Sequence, residues 1–254
     1  MIPARDLFGI SIAAVTMDDV LPLVADAIAR RTPFQIGVVN AAKVVNMQRD
    51  QRLRDDVLAS DIVLADGISV VWASRLVGQP LPERVAGIDL MYRLLEQAAG
   101  KQHRVFCLGA TADVLSAAIA EFQRRFPGLI VAGSQHGYFD RADEATVAAA
   151  IAASRADIVF IAMTSPRKEQ FLAQWSRVLG VPVWHGVGGS FDVAAGKVER
   201  APMLWQRLGL EWLYRVKQEP RRLWKRYLVT NALFARMLLV EWLRRRPLAP
   251  PQGP

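Results

Sequence analysis

Short apolar runs rich in β-branched residues alternate with helical patterns from the start of the chain to about residue 190, and this rhythm restricts the fold more than any other feature. Strands are expected at residues 35–39, 61–65, 104–108, 129–132, 157–163 and 181–187. Between them, stretches such as 113–126 and 144–154 are rich in alanine with spaced apolar residues, which suits a helix face laid on a sheet. The fold class that follows is α/β, a Rossmann-like mostly parallel sheet between helices. A hydrophobic content of 52% supplies its core. The single cysteine, Cys107, lies inside Val105-Phe106-Cys107-Leu108 and reads as a buried strand residue, in keeping with a reducing cytoplasm. Arg5, Asp6 and Gly9 interrupt the first apolar residues, so no secretory signal is expected.

Near residue 196 the composition changes. The β pattern stops, and a stretch rich in tryptophan and arginine begins, holding Trp205, Trp212, Trp224 and Trp242 among the chain's seven tryptophans. From Arg200 to Arg246 there are 12 Lys and Arg against Glu211, Glu219 and Glu241, so the net +8 of the chain is concentrated there. A localised cationic segment implies an anionic partner at that end. Trp224, Leu228, Ala232, Ala235, Leu239 and Trp242 recur at spacings of three or four and line one helix face, with Arg222, Arg226 and Arg236 lying elsewhere. Arg236 and Glu241 break any uncharged run of about 18 residues, so a membrane-spanning helix is disfavoured. An amphipathic helix lying in the headgroup plane, or one packed on the protein or on another copy, fits instead. Three regions are expected: a catalytic Rossmann-like domain at 1–195, a basic helical appendage at 196–246 and a disordered proline-rich tail at 247–254.

Ligands of open α/β sheets meet the carboxyl ends of the strands, so the residues just after each strand are the ones to inspect. Asp66 in Ala65-Asp66-Gly67 is placed to act as a general base, although an Asp-Gly pair is also ordinary turn chemistry. Asn40 ends another strand, where its amide would hold a sugar hydroxyl or cap the following helix. Gly186-Val187-Gly188-Gly189-Ser190-Phe191-Asp192 offers backbone N–H groups and a helix start to an anion. Phe191 occupies the third glycine position of the dinucleotide fingerprint, which removes support for a hydride-transfer enzyme. Gly109 forms a similar turn after its strand. In Thr164-Ser165-Pro166-Arg167-Lys168-Glu169, Ser165 is expected to cap a helix opening at Pro166, with Arg167 and Lys168 facing a phosphate or an acidic sugar. His103, His136 and His185 show no metal-ligand spacing, and no Asp-x-Asp pair, G-x-S-x-G elbow or P-loop occurs. A departing diphosphate would then be met by arginine and lysine, with no metal and no other cofactor.

Six collinear segments carry a resemblance that spans roughly residues 35–226. They are Ala65-Asp66-Gly67-Ile68-Ser69-Val70-Val71, Glu83-Arg84-Val85-Ala86-Gly87-Ile88-Asp89, Gly133-Ser134-Gln135-His136-Gly137-Tyr138-Phe139, Ser165-Pro166 with Glu169, the glycine segment 186–192, and Arg200-Ala201-Pro202 through Glu211-Trp212-Leu213-Tyr214-Arg215 to Pro220. Together they resemble the WecG/TagA/CpsF glycosyltransferase family, also called glycosyltransferase family 26. The resemblance implies inverting transfer from a UDP-sugar to a polyprenyl (undecaprenyl) diphosphate-linked sugar in surface polysaccharide assembly. It makes Asp66 the base. It places Asn40, Gly67, Arg84, Gly87 and Asp89 in the substrate pocket, with Gly109, Gln135, Lys168 and Glu169. Gly188, Gly189 and Asp192 fall near the nucleotide, and Arg215 and Arg222 supply cations to the diphosphates. Lys225 stands where the family commonly has arginine.

Two departures from the family pattern touch the sugar pocket: Lys168 replaces a common glutamine, and Val38 replaces a common threonine. They point to a donor other than N-acetylmannosamine, such as glucose or a uronic acid. The resemblance also implies a cytoplasmic protein held peripherally on the inner face of the membrane through its C-terminal segment, able to self-associate and not using nucleic acid. The competing reading is a non-catalytic nucleotide-sugar or nucleic-acid binding module, in which aromatics among arginines stack on bases. The helical spacing of those aromatics suits packing or a lipid interface better.

Overall fold

The computed structural model describes residues 2–245, with the side chain of Arg222 outside the description. The proline-rich segment 247–254 also lies outside the described residues. The chain opens with strands β1 (Ala4–Leu7) and β2 (Ile10–Ala13), followed by helix α1 (Met17–Arg30). Next come β3 (Phe34–Val39), α2 (Ala41–Met47), α3 (Gln51–Leu58), β4 (Ile62–Ala65), α4 (Ile68–Leu76) and α5 (Gly87–Lys101). The second half holds β5 (Arg104–Gly109), α6 (Ala112–Arg125), β6 (Ile130–Gln135), α7 (Glu144–Ala153), β7 (Ile158–Ala162), α8 (Arg167–Trp175), β8 (Val183–Gly186) and α9 (Ser190–Ala194). Three helices follow: α10 (Met203–Arg207), α11 (Glu211–Gln218) and α12 (Pro220–Arg245).

Strands β3 to β8 form one parallel sheet in the order β4-β3-β8-β7-β5-β6. All six were expected from their apolar runs. Alternation within β7 shows why the sheet needs two covering layers. Ile158, Phe160 and Ala162 join the core beneath α1, α5, α6 and α9, whereas Val159 and Ile161 face the opposite layer containing α7 and α8. The β3–β4 half of that second layer is covered by α2, α3, α4 and the β1–β2 hairpin, with Phe234 of α12 in the same cluster. The chain runs β3 to β4 toward one edge and β5 to β6 toward the other, then fills the middle with β7 and β8. Strand ends at such a reversal are splayed into a crevice.

The hairpin was not expected. Arg5, Asp6 and Ser11 are exposed while Leu7, Ile10 and Ile12 are fully buried, and Phe8 and Gly9 turn the chain with φ of 58° and 68°. What reads as an interrupted apolar run is a two-residue turn between antiparallel strands.

Helix α12 corrects the expectation for the appendage in detail. Its buried residues are Leu223, Thr230 and Phe234, and Leu233, Met237, Leu238 and Trp242 pack beside Phe234. The stripe read from periodicity points outward, with Trp224 54%, Leu228 62% and Leu239 54% exposed, and only Trp242 of that stripe turns back to the body. The helix therefore has two apolar faces. Among the described residues no helix is long and apolar enough to cross a membrane.

Candidate active site

Asp66 follows β4 directly and is half-buried at the strand end. Its Oδ1 accepts the Gly87 N–H at 2.8 Å, and its carbonyl oxygen accepts Arg84 Nε at 2.8 Å. Gly87 begins α5, so the carboxylate sits on the positive end of a 15-residue helix. His185, fully buried at the neighbouring end of β8, holds Gly87 from the other side: its Nε2 lies 3.0 Å from the Gly87 carbonyl, which can only accept, so Nε2 carries the proton. Burial first, and then the nearby Lys168 charge, push His185 down to about 4 against the helping pull of the Gly87 carbonyl, so its ring is neutral near pH 7. Gly67 lets the two strand ends approach, since a Cβ there would stand 3.1 Å from the Asn40 Cβ. Asn40 Oδ1 accepts the Lys43 N–H at 3.0 Å and so caps α2, leaving its amide nitrogen for other partners.

Behind this end of the sheet lies a buried charge cluster. Glu169 Oε1 accepts Lys43 Nζ at 2.7 Å and stands 3.4 Å from Lys168 Nζ. The side chains of the three are 11%, 8% and 4% exposed for Lys43, Lys168 and Glu169. Burial alone would raise Glu169, but the two ammoniums overcome it and hold the carboxyl at about 2. Lys43 is pushed down to about 8, by burial first and by Lys168 second, against the pull of Glu169 and Asp66. Two cations on one carboxylate leave a positive excess beside the glycine turn: Lys168 runs over Gly186, where a Cβ would meet its Cδ at 2.7 Å, and its Nζ lies beside Gly188.

The appendage reaches the same rim. Arg200 binds Asp89 with both nitrogens, at 2.7 and 2.8 Å, and Glu211 pairs with Arg84 at 3.0 Å. Gly209, with φ of 67°, packs where a Cβ would stand 2.8 Å from Trp72.

A strand-end carboxylate on a helix terminus lies near a buried cationic cluster, and comparison with known proteins gives the chain a lineage. A family model described as "Glycosyl transferase WecG/TagA/CpsF family" matches residues 5–248. The chain belongs to the WecG/TagA/CpsF family. It is similar to an N-acetylglucosaminyldiphosphoundecaprenol N-acetyl-beta-D-mannosaminyltransferase of Bacillus spizizenii, with 41% identity over 193 residues, 75% of this chain and 74% of the relative. A protein of the same description from Bacillus subtilis is 38% identical over 193 residues, covering 76% of this chain and 74% of that one. The chain is accordingly a glycosyltransferase.

For this WecG/TagA/CpsF glycosyltransferase the structure gathers Asp66, Gly67, Asn40, Arg84 and Gly87 at the ends of β3 and β4, with Lys168, Glu169, Gly188 and Gly189 beyond β8. Asp89 is engaged by Arg200, so its carboxylate joins appendage to body. Asp192 is half-buried in α9, and its carbonyl accepts the Lys197 and Val198 N–H groups. Gly109, with φ of 121°, is forced by contact: a Cβ would lie 2.5 Å from Ala162. Gln135 ends the far edge strand, four strand spacings from β3 or about 19 Å, and does not meet Asp66.

Three expectations shift. Arg215 and Lys225 are exposed on α11 and α12, and among the described residues Arg200 is a cation that the appendage brings to the site's rim. The Arg222 side chain lies outside the described residues. Pro166 is the residue that caps α8, without a side-chain bond, and Arg167 turns away to lie 4.5 Å over Phe139. Lys43, His185, Arg200 and Glu211 were not assigned from sequence. Lys43 had a usable signal, a lone cation in Ala41-Ala42-Lys43-Val44-Val45 three residues after a strand-end cap.

Proposed function

We propose that this enzyme moves a sugar, with inversion, from a UDP-sugar to a polyprenyl (undecaprenyl) diphosphate-linked sugar, with Asp66 as the base. One observation carries the reading: Gly87 fixes Asp66 Oδ1 from the helix side, and Oδ2 takes no hydrogen bond among the described residues. A carboxylate so oriented accepts the acceptor's hydroxyl proton on Oδ2. The alkoxide oxygen then bonds the anomeric carbon from the face opposite UDP, and the C–O bond to the β-phosphate breaks with its electron pair leaving on UDP. Lys43 and Lys168, with Arg84 at the rim, supply the positive field for that charge, so transfer without a divalent ion follows.

The cation of Lys168 beside the glycine turn favours a donor bearing a carboxylate, a hexuronate, over N-acetylmannosamine. The outward stripe of α12, flanked by Lys225, Arg226 and Arg236, supports peripheral attachment to the inner face of the membrane, where the acceptor resides. Self-association through the same stripe is the competing use.

The test pairs wild type with Asp66→Asn on a panel of UDP-sugars and a short-chain polyprenyl diphosphate sugar. Turnover should fall at least about 100-fold with UDP binding retained; unchanged turnover would remove Asp66 from the chemistry. Transfer of N-acetylmannosamine alone would defeat the uronate assignment and leave the base in place.

A further inference from the structure

Away from the strand ends, α12 crosses the turn of the β1–β2 hairpin and the C-terminal end of α2, and a groove of about 540 Å³ opens along that seam. This volume falls within the range of about 300–1,000 Å³ typical of ligand sites. Its floor is apolar: Phe8, Val45, Leu233, Met237 and Val240. Its rim is cationic: Arg49, Arg236 and Arg244 line it, all three exposed and without a salt bridge or side-chain hydrogen bond among the described residues. The carboxylate in the lining, Glu241, is already held by Arg245 at 2.6 Å, and Arg245 also pairs with Asp6 at 3.2 Å. The three guanidiniums are therefore left uncompensated over an apolar trough.

An apolar floor beneath several unpaired planar cations fits a molecule with one anionic phosphate and a hydrocarbon chain, because guanidinium binds phosphate through paired hydrogen bonds and the chain replaces water on the floor. Val240 lines the groove and is 41% exposed, beside the outward apolar stripe of α12, so the groove is continuous with the surface read above as facing the bilayer. The groove is also distinct from the transfer site. Asn40 and Lys43 stand at the start of α2, whereas Val45, Gln48 and Arg49 lie at its other end, about 10 Å along the axis.

We propose that this groove binds an anionic phospholipid, with one acyl chain on the floor and the phosphate among Arg49, Arg236 and Arg244. The proposal rests on the membrane reading above and gives it a chemical preference: the enzyme is seated by individual acidic lipids as well as by a general apolar face. Acidic lipid in the groove ties α12 to the hairpin and α2, which holds the appendage in register with Asp66.

The experiment titrates the full chain with dihexanoylphosphatidylglycerol and with dihexanoylphosphatidylcholine below their micelle concentrations, following binding by calorimetry, alongside sedimentation with vesicles of either headgroup. Saturable binding of the phosphatidylglycerol, several-fold tighter than the phosphatidylcholine, is expected, and Arg236→Gln and Arg244→Gln should each weaken it about fivefold. Turnover on a water-soluble acceptor should stay unchanged in both variants. Equal binding of the two lipids, or equal binding by wild type and the double variant, overturns the groove. Leu239→Asp with Leu243→Asp separates the two readings: these should abolish vesicle sedimentation and spare short-chain lipid binding. Wild type that fails to sediment while still binding the soluble lipid leaves the groove standing and removes the membrane reading. Farnesyl diphosphate displacing the phosphatidylglycerol, with transfer lost in the arginine variants, reassigns the groove to the acceptor and overturns the phospholipid proposal.

Discussion

Lys43 offers a direct measure of how much charge the site holds out of water. Its ammonium titrates near 10.5 in an unfolded chain and at about 8 in the fold, because burial and Lys168 oppose its charge more than Glu169 supports it. Below pH 8 both states are protonated, and the native state carries the full penalty. Between about 8 and 10.5 the unfolded chain binds a proton that the native protein has given up, so stability rises with pH across that window. The distance between the two values corresponds to roughly 3 kcal/mol. Lys43→Arg stays charged and Lys43→Met is never charged, so neither shows this rise. Urea denaturation of all three proteins at pH 7.5 and pH 10 isolates it as the difference between wild type and each variant. Activity should run the other way. On the proposed mechanism, loss of the Lys43 proton weakens the field around Asp66 and the departing diphosphate, so kcat/KM should fall above pH 8 in wild type, with that limb absent in Lys43→Arg. Parallel stability changes in wild type and both variants, or an alkaline limb kept in Lys43→Arg, would refute the account of a charge held by the Lys43, Glu169 and Lys168 cluster.

Acid should destabilise the fold through His185, which stays neutral down to about 4 while an unfolded histidine protonates near 6.5. Stability is lost as pH falls across that window, by up to roughly 3 kcal/mol, and His185→Gln should flatten the slope in denaturant titrations. Gly209→Val adds a Cβ 2.8 Å from Trp72 at φ of 67° and should cost roughly 3 kcal/mol of appendage docking. Limited proteolysis would then cut near residues 196–210 while the sheet domain keeps its melting temperature; an unchanged digestion pattern would contradict the docking. For Asp89 and Arg200, bidentate but 44% and 31% exposed, solvent reduces the expected coupling to about 1 kcal/mol in a double-mutant cycle.

The parallel sheet was legible because each strand is a compact apolar run bounded by polar turns, as in Ile158–Ala162, where nothing else could bury both faces. The hairpin was not, because strands of four residues with Arg5 and Asp6 on their outer face look like interruptions. Asp66 stood out by position alone, directly after a strand and before a glycine. The pairing of Lys43 with Glu169 spans 126 positions and leaves no local pattern, and Arg200 was visible in a motif without a hint that Asp89 was its partner. In α12 the periodicity was real but ambiguous: with apolar residues on two faces, spacing finds a stripe and does not say which one docks.

The hairpin clasp on the last helix has a consequence for synthesis. Phe8 packs tilted against Phe234 with ring centroids 5.4 Å apart, and Asp6 meets Arg245 from 239 positions away. A ribosome makes the hairpin more than two hundred residues before its cover, so Phe8 waits uncovered until α12 emerges. Until α12 arrives, the nascent chain has an open seam beside the hairpin, and products truncated before it would display that seam to chaperones and proteases.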